Sequence, residues 1–199
     1  MKYFVTAIGT DSGKTLVSAI LCQALGAAYY KPIQAGLPTD SDYIKNLYPE
    51  VRVVPERYRL KMPASPHSAA KAEGLDLQVA DLAIPKEENL IVEGAGGCLV
   101  PLNNREFVLD IALVNKLPII LVANLYLGSI NHTLLTIEYL KQKNPQVKGL
   151  IFNGPANSDS QDIIAHHSPW SILGHVPQLE TVNPQTLQSY VQHFREQLA

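Results

Sequence analysis

Residues 3–15 read YFVTAIGTDSGKT, and this stretch decides the fold. The apolar and β-branched residues of Tyr3–Ala7 predict a buried strand. A turn with two glycines follows, and a helical pattern begins at Lys14. In such a strand–loop–helix unit, the loop N–H groups and the helix N-terminus bind phosphate oxygens. The stretch therefore predicts a phosphate-binding loop at the carboxyl edge of a parallel sheet.

The loop departs from the usual GxxxxGK[ST] spacing at its first position. Ile8 stands where a glycine is expected, and a variant with five intervening residues begins at Ala7. The two residues that carry the chemistry are present, because Lys14 can reach the β- and γ-phosphates and the Thr15 hydroxyl can bind Mg2+. A glycine turn that merely precedes a helix is the alternative interpretation. The order of strand, loop and helix favours phosphate binding.

Strand patterns alternate with helical patterns, which predicts an α/β fold with a mostly parallel sheet and helices on both faces. The predicted strands are Lys2–Ile8, Ala28–Ile33, Leu90–Glu93, Pro118–Ala123, Val147–Asn153 and Ser171–Val176. The predicted helices are Lys14–Leu25, His67–Ala72, Phe107–Asn115, Asn131–Gln142 and Pro184–Leu198. The Pro-rich stretch Leu60–Pro66 is expected to be a long connection at the functional edge of the sheet. With no interdomain linker, the length of 199 residues predicts one domain, residues 1–199.

Composition and charge argue against several classes of protein. Sixteen Lys plus Arg against eighteen Asp plus Glu give a net charge of -2, so no basic field favours nucleic acid. The longest apolar run, Leu117–Leu127, is too short for a transmembrane helix. No secretory leader is recognisable, and Cys22 and Cys98 lack metal-ligand or CxxC spacing. We expect a cytoplasmic protein with reduced cysteines, no nucleic-acid partner and no membrane contact.

Acidic side chains follow two of the predicted strands. Glu93 ends a buried strand and precedes GAGG (94–97), which puts its carboxylate at the edge where nucleotides bind. Asp40 and Asp42 follow the second strand, and either could complete a Mg2+ site with Glu93 and phosphate oxygens. The alternatives are a solvated Glu in a glycine-rich turn and Asp residues that cap a helix. Lys31 would bring a cation to the same edge.

Several motifs, taken together, resemble the dethiobiotin synthetase family. They are TDSGKT (10–15), KPIQAG (31–36), SD (41–42), SPH (65–67), VEGAGG (92–97) with PL (101–102), and LGSINH (127–132). The resemblance extends from Tyr3 to about Leu179 and is weak over residues 49–61 and 155–169. It implies a P-loop NTPase-like fold and ATP-dependent closure of a cyclic urea. In that reaction of biotin synthesis, 7,8-diaminononanoate, CO2 and ATP give dethiobiotin, ADP and phosphate.

The chemistry that the resemblance implies has three steps. One amine of the substrate captures CO2 as a carbamate, the carbamate oxygen attacks the γ-phosphate, and the second amine displaces phosphate from the mixed anhydride. No covalent enzyme intermediate is needed. Such a site must position its ligands and stabilise charge, as is usual in phosphoryl transfer.

The resemblance also implies roles for individual residues. Lys31, Lys14, Thr10 and Asp11 would be catalytic, with the lysines neutralising the phosphates and the carbamate. Mg2+ would be bound by Thr15, Asp42 and Glu93. ATP would be bound by Asp11, Ser12, Gly13, Lys14, Thr15, Leu16, Asp42, Glu93, Gly94, Ala95, Gly96, Asn153, Gly154, Pro177, Gln178 and Leu179.

For the diamine substrate, the resemblance implies contacts with Ala35, Ser65, Pro66, Gly128, Ser129, Ile130 and Asn131. Residues 128–131 open a helix whose free N–H groups suit a carboxylate tail, and in the family this element comes from the second subunit. A homodimer with its substrate site at the interface is therefore implied. Three positions depart from the family: Ala35 stands where Ser or Thr is usual, Asp11 where Glu is common, and Ala7 where Gly often begins the loop.

Two other classes of protein remain as alternatives. Switch ATPases of the partitioning or cell-division type resemble KGGxGKT at the loop, but here the signature lysine position is Gly9. The C-terminal helix also carries only Arg195 as a fixed cation. Small-molecule kinases use several arginines around the transferred phosphoryl group, whereas the arginines here lie away from the motifs. His67 and His132 lie within motifs and are expected to support or cap rather than to catalyse.

Overall fold

The strand that leads into the phosphate-binding loop is the central strand of a seven-stranded sheet. This architecture is seen in a computed structural model that describes residues 1–198. The strands are β1 (Lys2–Ala7), β2 (Ala28–Tyr30), β3 (Ile33–Ala35), β4 (Val53–Val54), β5 (Tyr58–Leu60), β6 (Leu90–Gly97), β7 (Ile119–Asn124), β8 (Val147–Asn153) and β9 (Ile172–Val176). The large sheet has the order β4-β2-β6-β1-β7-β8-β9, and all of its neighbouring strands pair in parallel. Strands β3 and β5 form a separate two-stranded parallel sheet.

Helices cover both faces of the large sheet. They are α1 (Lys14–Leu25), α2 (Asp40–Leu47), α3 (Pro66–Ala72), α4 (Val108–Val114), α5 (Ser129–Lys143), α6 (Ser158–His167) and α7 (Pro184–Leu198), with a short 3-10 turn at Val79–Asp81. Helices α1, α2 and α7 bury their apolar residues in one core, and α3 to α6 bury theirs in the other. This two-faced arrangement confirms the predicted α/β fold. None of the helices in residues 1–198 has the length and apolar character needed to cross a bilayer.

The alternation of side chains along the central strands assigns each residue to one of the two cores. Phe4 packs in the core of α3 to α6, whereas Val5 packs in the core of α1, α2 and α7. The same period of two places Ile91 in the α1 core and Val92 in the opposite one. Glu93 therefore continues on the α1 side, below the helix that the phosphate loop opens.

Most predicted elements are confirmed within a few residues, and three differences have clear causes. The predicted strand Ala28–Ile33 is divided into β2 and β3, because Pro32 lies between them and cannot donate to a ladder. Strand β6 continues to Gly97 instead of ending at Glu93, because its glycines allow β6 to pack closely on β1. At Gly94, for example, a Cβ would lie only 2.9 Å from Phe4. The sequence patterns did not predict α2, α6, β4 and β5, which are short or strongly polar.

Candidate functional site

The loop between β1 and α1 has the backbone geometry of an anion site. Asp11 and Gly13 both adopt left-handed conformations, with φ of 56° and 83°. Gly13 precedes α1, and no side chain caps that helix end. The N–H groups of the first turn of any helix lack intrahelical partners, so those of α1 are available to an acceptor bound in the loop.

Side chains within and beside the loop hold this shape. The Ser12 hydroxyl lies 3.0 Å from the Gly9 carbonyl oxygen and 2.9 Å from Asn124 Oδ1 at the end of β7. Lys14 Nζ donates to the same Gly9 oxygen at 3.2 Å. Burial lowers the pKa of Lys14 below the ordinary value for lysine, although Glu93 partly opposes the effect. The ammonium of Lys14 is thus fixed over the loop and poorly hydrated, ready for an anionic partner.

Glu93 is the centre of a buried polar cluster. Its carboxylate accepts a hydrogen bond from the Tyr29 hydroxyl at Oε2, 2.9 Å away, and one from Lys31 Nζ at Oε1, 3.0 Å away. The Thr15 hydroxyl lies 3.0 Å from Oε1 and 2.9 Å from Asp40 Oδ1. Lys31 also forms an ion pair with Asp40, so its ammonium bridges the two carboxylates.

Lys31 keeps its charge despite its burial. Burial alone would lower its pKa, but the carboxylates of Glu93 and Asp40 outweigh this and raise the pKa above the ordinary value for lysine. In the absence of bound ligands, Lys31 is therefore the counter-ion of the carboxylate pair. Removing either partner from such a buried cluster leaves an uncompensated charge, which is strongly unfavourable.

The structure places Asp40, rather than the expected Asp42, in this cluster. Asp40 is the first residue of α2 and contacts both Thr15 and Lys31. Asp42 lies two residues further on and is exposed. It forms a reciprocal capping pair with Thr39. The Asp42 N–H donates to the Thr39 hydroxyl at 3.0 Å, and that hydroxyl donates to Asp42 Oδ2 at 2.7 Å. The two-residue difference is decided by where α2 begins. Asp40 therefore replaces Asp42 as the candidate metal ligand.

A cavity of about 720 Å³ opens beside this cluster. Most of the sequence-predicted site residues line it: Thr10, Asp11, Ser12, Gly13, Lys14, Thr15, Lys31, Ala35, Ser65, Pro66, Glu93, Ala95 and Gly96. The connection Leu60–Pro66 contributes part of the wall, as expected from its Pro-rich sequence. Residues from four separate segments between Thr10 and Val100 thus meet at the carboxyl edge of the sheet, where α/β folds bind their ligands.

Two of the predicted ATP-binding residues lie behind the loop instead of in the cavity wall. Leu16 packs its side chain into the α1 core, and Gly94 is buried against Phe4 and Val108. Leu16 can still offer its N–H group, because it belongs to the first turn of α1. Gly94 contributes through the packing of β6.

The predicted adenine-binding residues form a second group on the other side of the loop. Asn153 ends β8, and its side-chain amide fills the space above Gly13, where any Cβ would overlap it. Gly154 donates its N–H to the Val176 carbonyl oxygen at 3.0 Å and thereby joins residues 153–154 to the segment 177–179 after β9. The ends of β8 and β9 therefore bring together residues that are distant in sequence.

The predicted substrate residues Gly128, Ser129, Ile130 and Asn131 lie at the start of α5, and none of them lines the 720 Å³ cavity. The approach to this helix is apolar and exposed: Leu127 is fully exposed, and Tyr126 and Leu99 are about half exposed. Within the part of the chain that the structure describes, the buried Ser129 hydroxyl has no hydrogen-bond partner. This element therefore does not contribute to the cavity of its own chain.

The donor set at the cluster fits a magnesium ion. Thr15, Asp40 and Glu93 offer a hydroxyl and two carboxylates, which are the hard oxygen ligands that Mg2+ prefers. A Mg2+ ion usually keeps few protein ligands and completes its octahedron with phosphate oxygens and water.

Two residues that contact the cluster were not predicted from the sequence. Gln34 lines the cavity, and its Oε1 accepts a hydrogen bond at 3.1 Å from the N–H of Asp40, which orients the start of α2. Tyr29 lies on β2, and its hydroxyl donates to Glu93 Oε2. The sequence contains a local signal for the position of Asp40. Thr39 is of a residue type preferred at the N-cap, and the residue after an N-cap is the first of the helix. Tyr29 had no local signal, because its partner lies on another strand.

Known proteins resemble this chain both in sequence and in fold. A family model described as an AAA domain matches residues 1–186. The ATP-dependent dethiobiotin synthetase of Cytophaga hutchinsonii is 50% identical over 194 residues, which cover 95% of this chain and 94% of the relative. That of Brucella ovis is 42% identical over 200 residues, which cover 97% of this chain and 94% of the relative.

Solved structures show the same fold at low sequence identity. A ParA family ATPase from Chlorobium tepidum TLS has a TM-score of 0.57 at 15% identity and covers 99% of this chain and 91% of its own. A chain of the MinC:MinD cell division complex of Aquifex aeolicus has a TM-score of 0.59 at 14% identity, covering 99% of this chain and 94% of its own. At such identities the likeness concerns the fold alone.

Proposed function

The chain belongs to the family of ATP-dependent dethiobiotin synthetases, and we propose that the 720 Å³ cavity is where it closes the ring of dethiobiotin. The chain is a ligase of biotin biosynthesis that uses ATP. The observation that supports the location is the convergence of Lys14, Lys31 and the Glu93 carboxylate beside the phosphate loop. Each part of the reaction has residues nearby that are chemically suited to it.

The two lysines serve different parts of the phosphoryl transfer. Lys14 is fixed at the loop and neutralises the β- and γ-phosphates. Lys31 is paired with Asp40 and Glu93 beside the cavity, where its ammonium would serve the γ-phosphate and the carbamate. Preorganised charges of this kind stabilise a transition state without reorganisation at the moment of reaction.

Thr10 and Asp11 hold the reacting end of the diamine. Both are exposed at the mouth of the cavity, across from Ala35, Ser65 and Pro66. Asp11 can accept hydrogen bonds from the amines, and Thr10 can donate to the carbamate. The diamine would therefore be positioned between the loop and the 63–66 connection, close to the transferred phosphate.

Mg2+ would be held by Thr15, Asp40 and Glu93 together with oxygens of the β- and γ-phosphates. When bound, the ion would neutralise part of the negative charge of the phosphates. Thr15 connects the two halves of this set, since its hydroxyl already contacts both carboxylates. The triphosphate would lie over the N–H groups of residues 11–16, beside Ala95 and Gly96.

The base of ATP would lie against Asn153 and the segment 177–179. The Asn153 amide carries one acceptor and one donor group, which can pair with the edge of adenine. Gly154, Pro177, Gln178 and Leu179 are near enough in the fold to contribute main-chain contacts. The packing of Asn153 on Gly13 sets the separation between base and phosphates.

A homodimer would complete the substrate site. The helix start Gly128–Asn131 does not line the cavity of its own chain, and that of a second copy could bring its free N–H groups to the carboxylate tail of the bound diamine. The exposed Leu99, Tyr126 and Leu127 beside it supply apolar surface for such an interface. The closed symmetry of a dimer would build two equivalent sites.

The reaction would take place in the cytoplasm, where ATP is available. Cys22 and Cys98 are both free and buried, as suits a reducing compartment. Burial raises the pKa of the Cys22 thiol well above its ordinary value and that of Cys98 to about 11, so neither is a reactive thiolate. Both cysteines are structural.

A switch ATPase is the competing function, because ParA and MinD proteins share the fold. An assay of ADP release with diaminononanoate and bicarbonate omitted in turn separates the two. A synthetase requires both compounds for turnover and forms dethiobiotin in equal amount to ADP. A switch ATPase would hydrolyse ATP when both are absent, and that result would contradict the proposed function.

A further inference from the structure

Strand β2 presents two buried tyrosines, one on each face of the sheet. Tyr29 is fully buried and lies in the α1 core, whereas Tyr30 lies in the core of α3 to α6. Strand β2 pairs in parallel with β6, and Tyr29 stands opposite Ile91. Because side chains alternate along a strand, Glu93 follows Ile91 on the face of Tyr29. Tyr29 is thus the tyrosine that can reach Glu93.

The phenol of Tyr29 donates its hydrogen bond to Oε2 of Glu93 at 2.9 Å. This contact occupies Oε2, whereas Oε1 contacts Thr15 and Lys31, which both line the cavity. A buried carboxylate without such a partner would be left with an unsatisfied oxygen. The hydrogen bond therefore fixes the plane and the depth of the Glu93 carboxylate.

Burial raises the pKa of Tyr29 well above its ordinary value, and the charge of Glu93 raises it further. The Tyr29 hydroxyl donates its single proton to the Glu93 carboxylate, whose oxygens are acceptors.

We propose that Tyr29 is a positioning residue for the metal site, which aims Glu93 Oε1 at the ion shared with Thr15 and Asp40. The proposal rests on the proposed function, because it takes Glu93 as a magnesium ligand. Tyr29 acts through Glu93 and does not touch the nucleotide or the diamine. Partners that orient a metal ligand in this way commonly change metal affinity by about 10- to 100-fold when they are removed.

The test compares Tyr29→Phe with Tyr30→Phe, a matched control that removes the same hydroxyl from the opposite face of β2. ADP binding is measured by calorimetry over a range of Mg2+ concentrations, and folding is followed by thermal melting. The quantity compared is the Mg2+ concentration at which the Mg2+-dependent increase in ADP binding is half complete. We expect this concentration to be about 10- to 100-fold higher for Tyr29→Phe than for wild type. Without Mg2+, Tyr29→Phe should bind ADP as wild type does. Tyr30→Phe should bind ADP as wild type does both with and without Mg2+.

Equal Mg2+ dependence in wild type and Tyr29→Phe would overturn the proposal, whatever the change in melting temperature. A second measurement does not depend on the folding of the variant. In wild-type protein labelled with 13C-tyrosine, addition of Mg2+ and ADP should shift the ring signal of Tyr29 more than that of Tyr30. An unchanged Tyr29 signal would also overturn the assignment.

The outcomes separate this proposal from the proposed function. If wild type makes dethiobiotin only with both diaminononanoate and bicarbonate, the function holds even when Tyr29→Phe behaves as wild type. If wild type binds ADP equally with and without Mg2+, the metal site fails, and the role of Tyr29 fails with it.

Discussion

Two regions of the molecule differ in how completely one chain builds them. The phosphate half consists of residues 9–15 with Lys31, Asp40 and Glu93. Its buried charged side chains each have a hydrogen-bond or ion-pair partner, and all of them line one cavity. In the tail half, made of residues 126–131, Leu127 is fully exposed and the buried Ser129 hydroxyl lacks a partner among residues 1–198. Preorganised electrostatics favour a site that is complete before ligands bind. This contrast is what we expect if, as proposed, one chain builds the nucleotide site and two chains build the diamine site.

The largest expected effect comes from breaking the phosphate half at Lys14. Lys14→Ala removes a fixed cation from the γ-phosphate and should lower kcat by about 100- to 1000-fold. The fold should persist, because the backbone of the loop is also held by Ser12. Steady-state ADP release measures the loss, with Lys148→Ala, an exposed lysine on β8, as the control. Full activity in a folded Lys14→Ala protein would contradict the phosphate-loop assignment.

A charge in the tail half tests whether a second chain is needed. Leu127→Asp should dissociate the dimer in sedimentation experiments and abolish dethiobiotin formation, while ADP binding remains at the wild-type level. Ile163→Asp, on the exposed side of α6, is the control and should do neither. The loss of one function without the other would sharpen the contrast between the halves.

Mixed dimers provide the converse of this experiment. Lys14→Ala chains and Asn131→Ala chains are each expected to be inactive as homodimers. In a mixed dimer, one site receives its phosphate half and its tail half from intact segments, so part of the activity should return. If verified heterodimers stay inactive, each site is built within one chain, and the comparison fails.

Within the phosphate half, the two aspartates of α2 should behave differently. Asp40→Asn removes a carboxylate from the metal set and should raise the Mg2+ concentration for half-maximal activity by roughly tenfold or more. Asp42→Asn should leave that concentration unchanged and reduce stability by about 0.3–1 kcal/mol, through loss of charge at a helix N-terminus. Mg2+ titrations and thermal melts of both variants measure the difference. The reverse pattern would restore Asp42 as the ligand.

The pH dependence of ATP capture should report the burial of Lys14. Because burial lowers the pKa of Lys14, the free enzyme loses this proton at a lower pH than an ordinary lysine would. The value of kcat/KM for ATP, which reflects the free enzyme, should therefore fall early on the alkaline side. Lys14→Arg keeps its charge in this range and should move the fall to higher pH, whereas Lys148→Arg should not. If the alkaline fall of kcat/KM for ATP occurs at the same pH in Lys14→Arg as in wild type, the fall belongs to another group.

The smallest expected effect concerns Ala35, which lines the cavity of the phosphate half. Ala35 ends β3 and lines the cavity, where a hydroxyl could donate to the diamine. Ala35→Ser should lower the KM for diaminononanoate by about two- to tenfold, as expected for one neutral hydrogen bond, and barely change that for ATP. A selective change in the KM for ATP would place this residue against the nucleotide.

Local sequence was informative wherever a single segment supplies the structure. The bounds of α1, α7 and β8 agree with the predictions, because period and capping residues lie within each element. The loop residues Ser12–Thr15 line the cavity together, as their sequence order predicts, for the same reason. Prediction was poorest for α2 and α6, which are short and polar on average and whose formation depends on contacts with other elements.

The sequence by itself determined the strand–loop–helix unit, the alternation of strands and helices, and the presence of Lys14, Thr15, Lys31 and Glu93 at strand and helix ends. Only the tertiary structure decided which groups meet there. The Tyr29–Glu93 bond joins residues 64 positions apart, and the choice of Asp40 over Asp42 depends on the first residue of α2. Local patterns come from backbone geometry over a few residues, whereas these contacts exist only after β2 and β6 have paired in register.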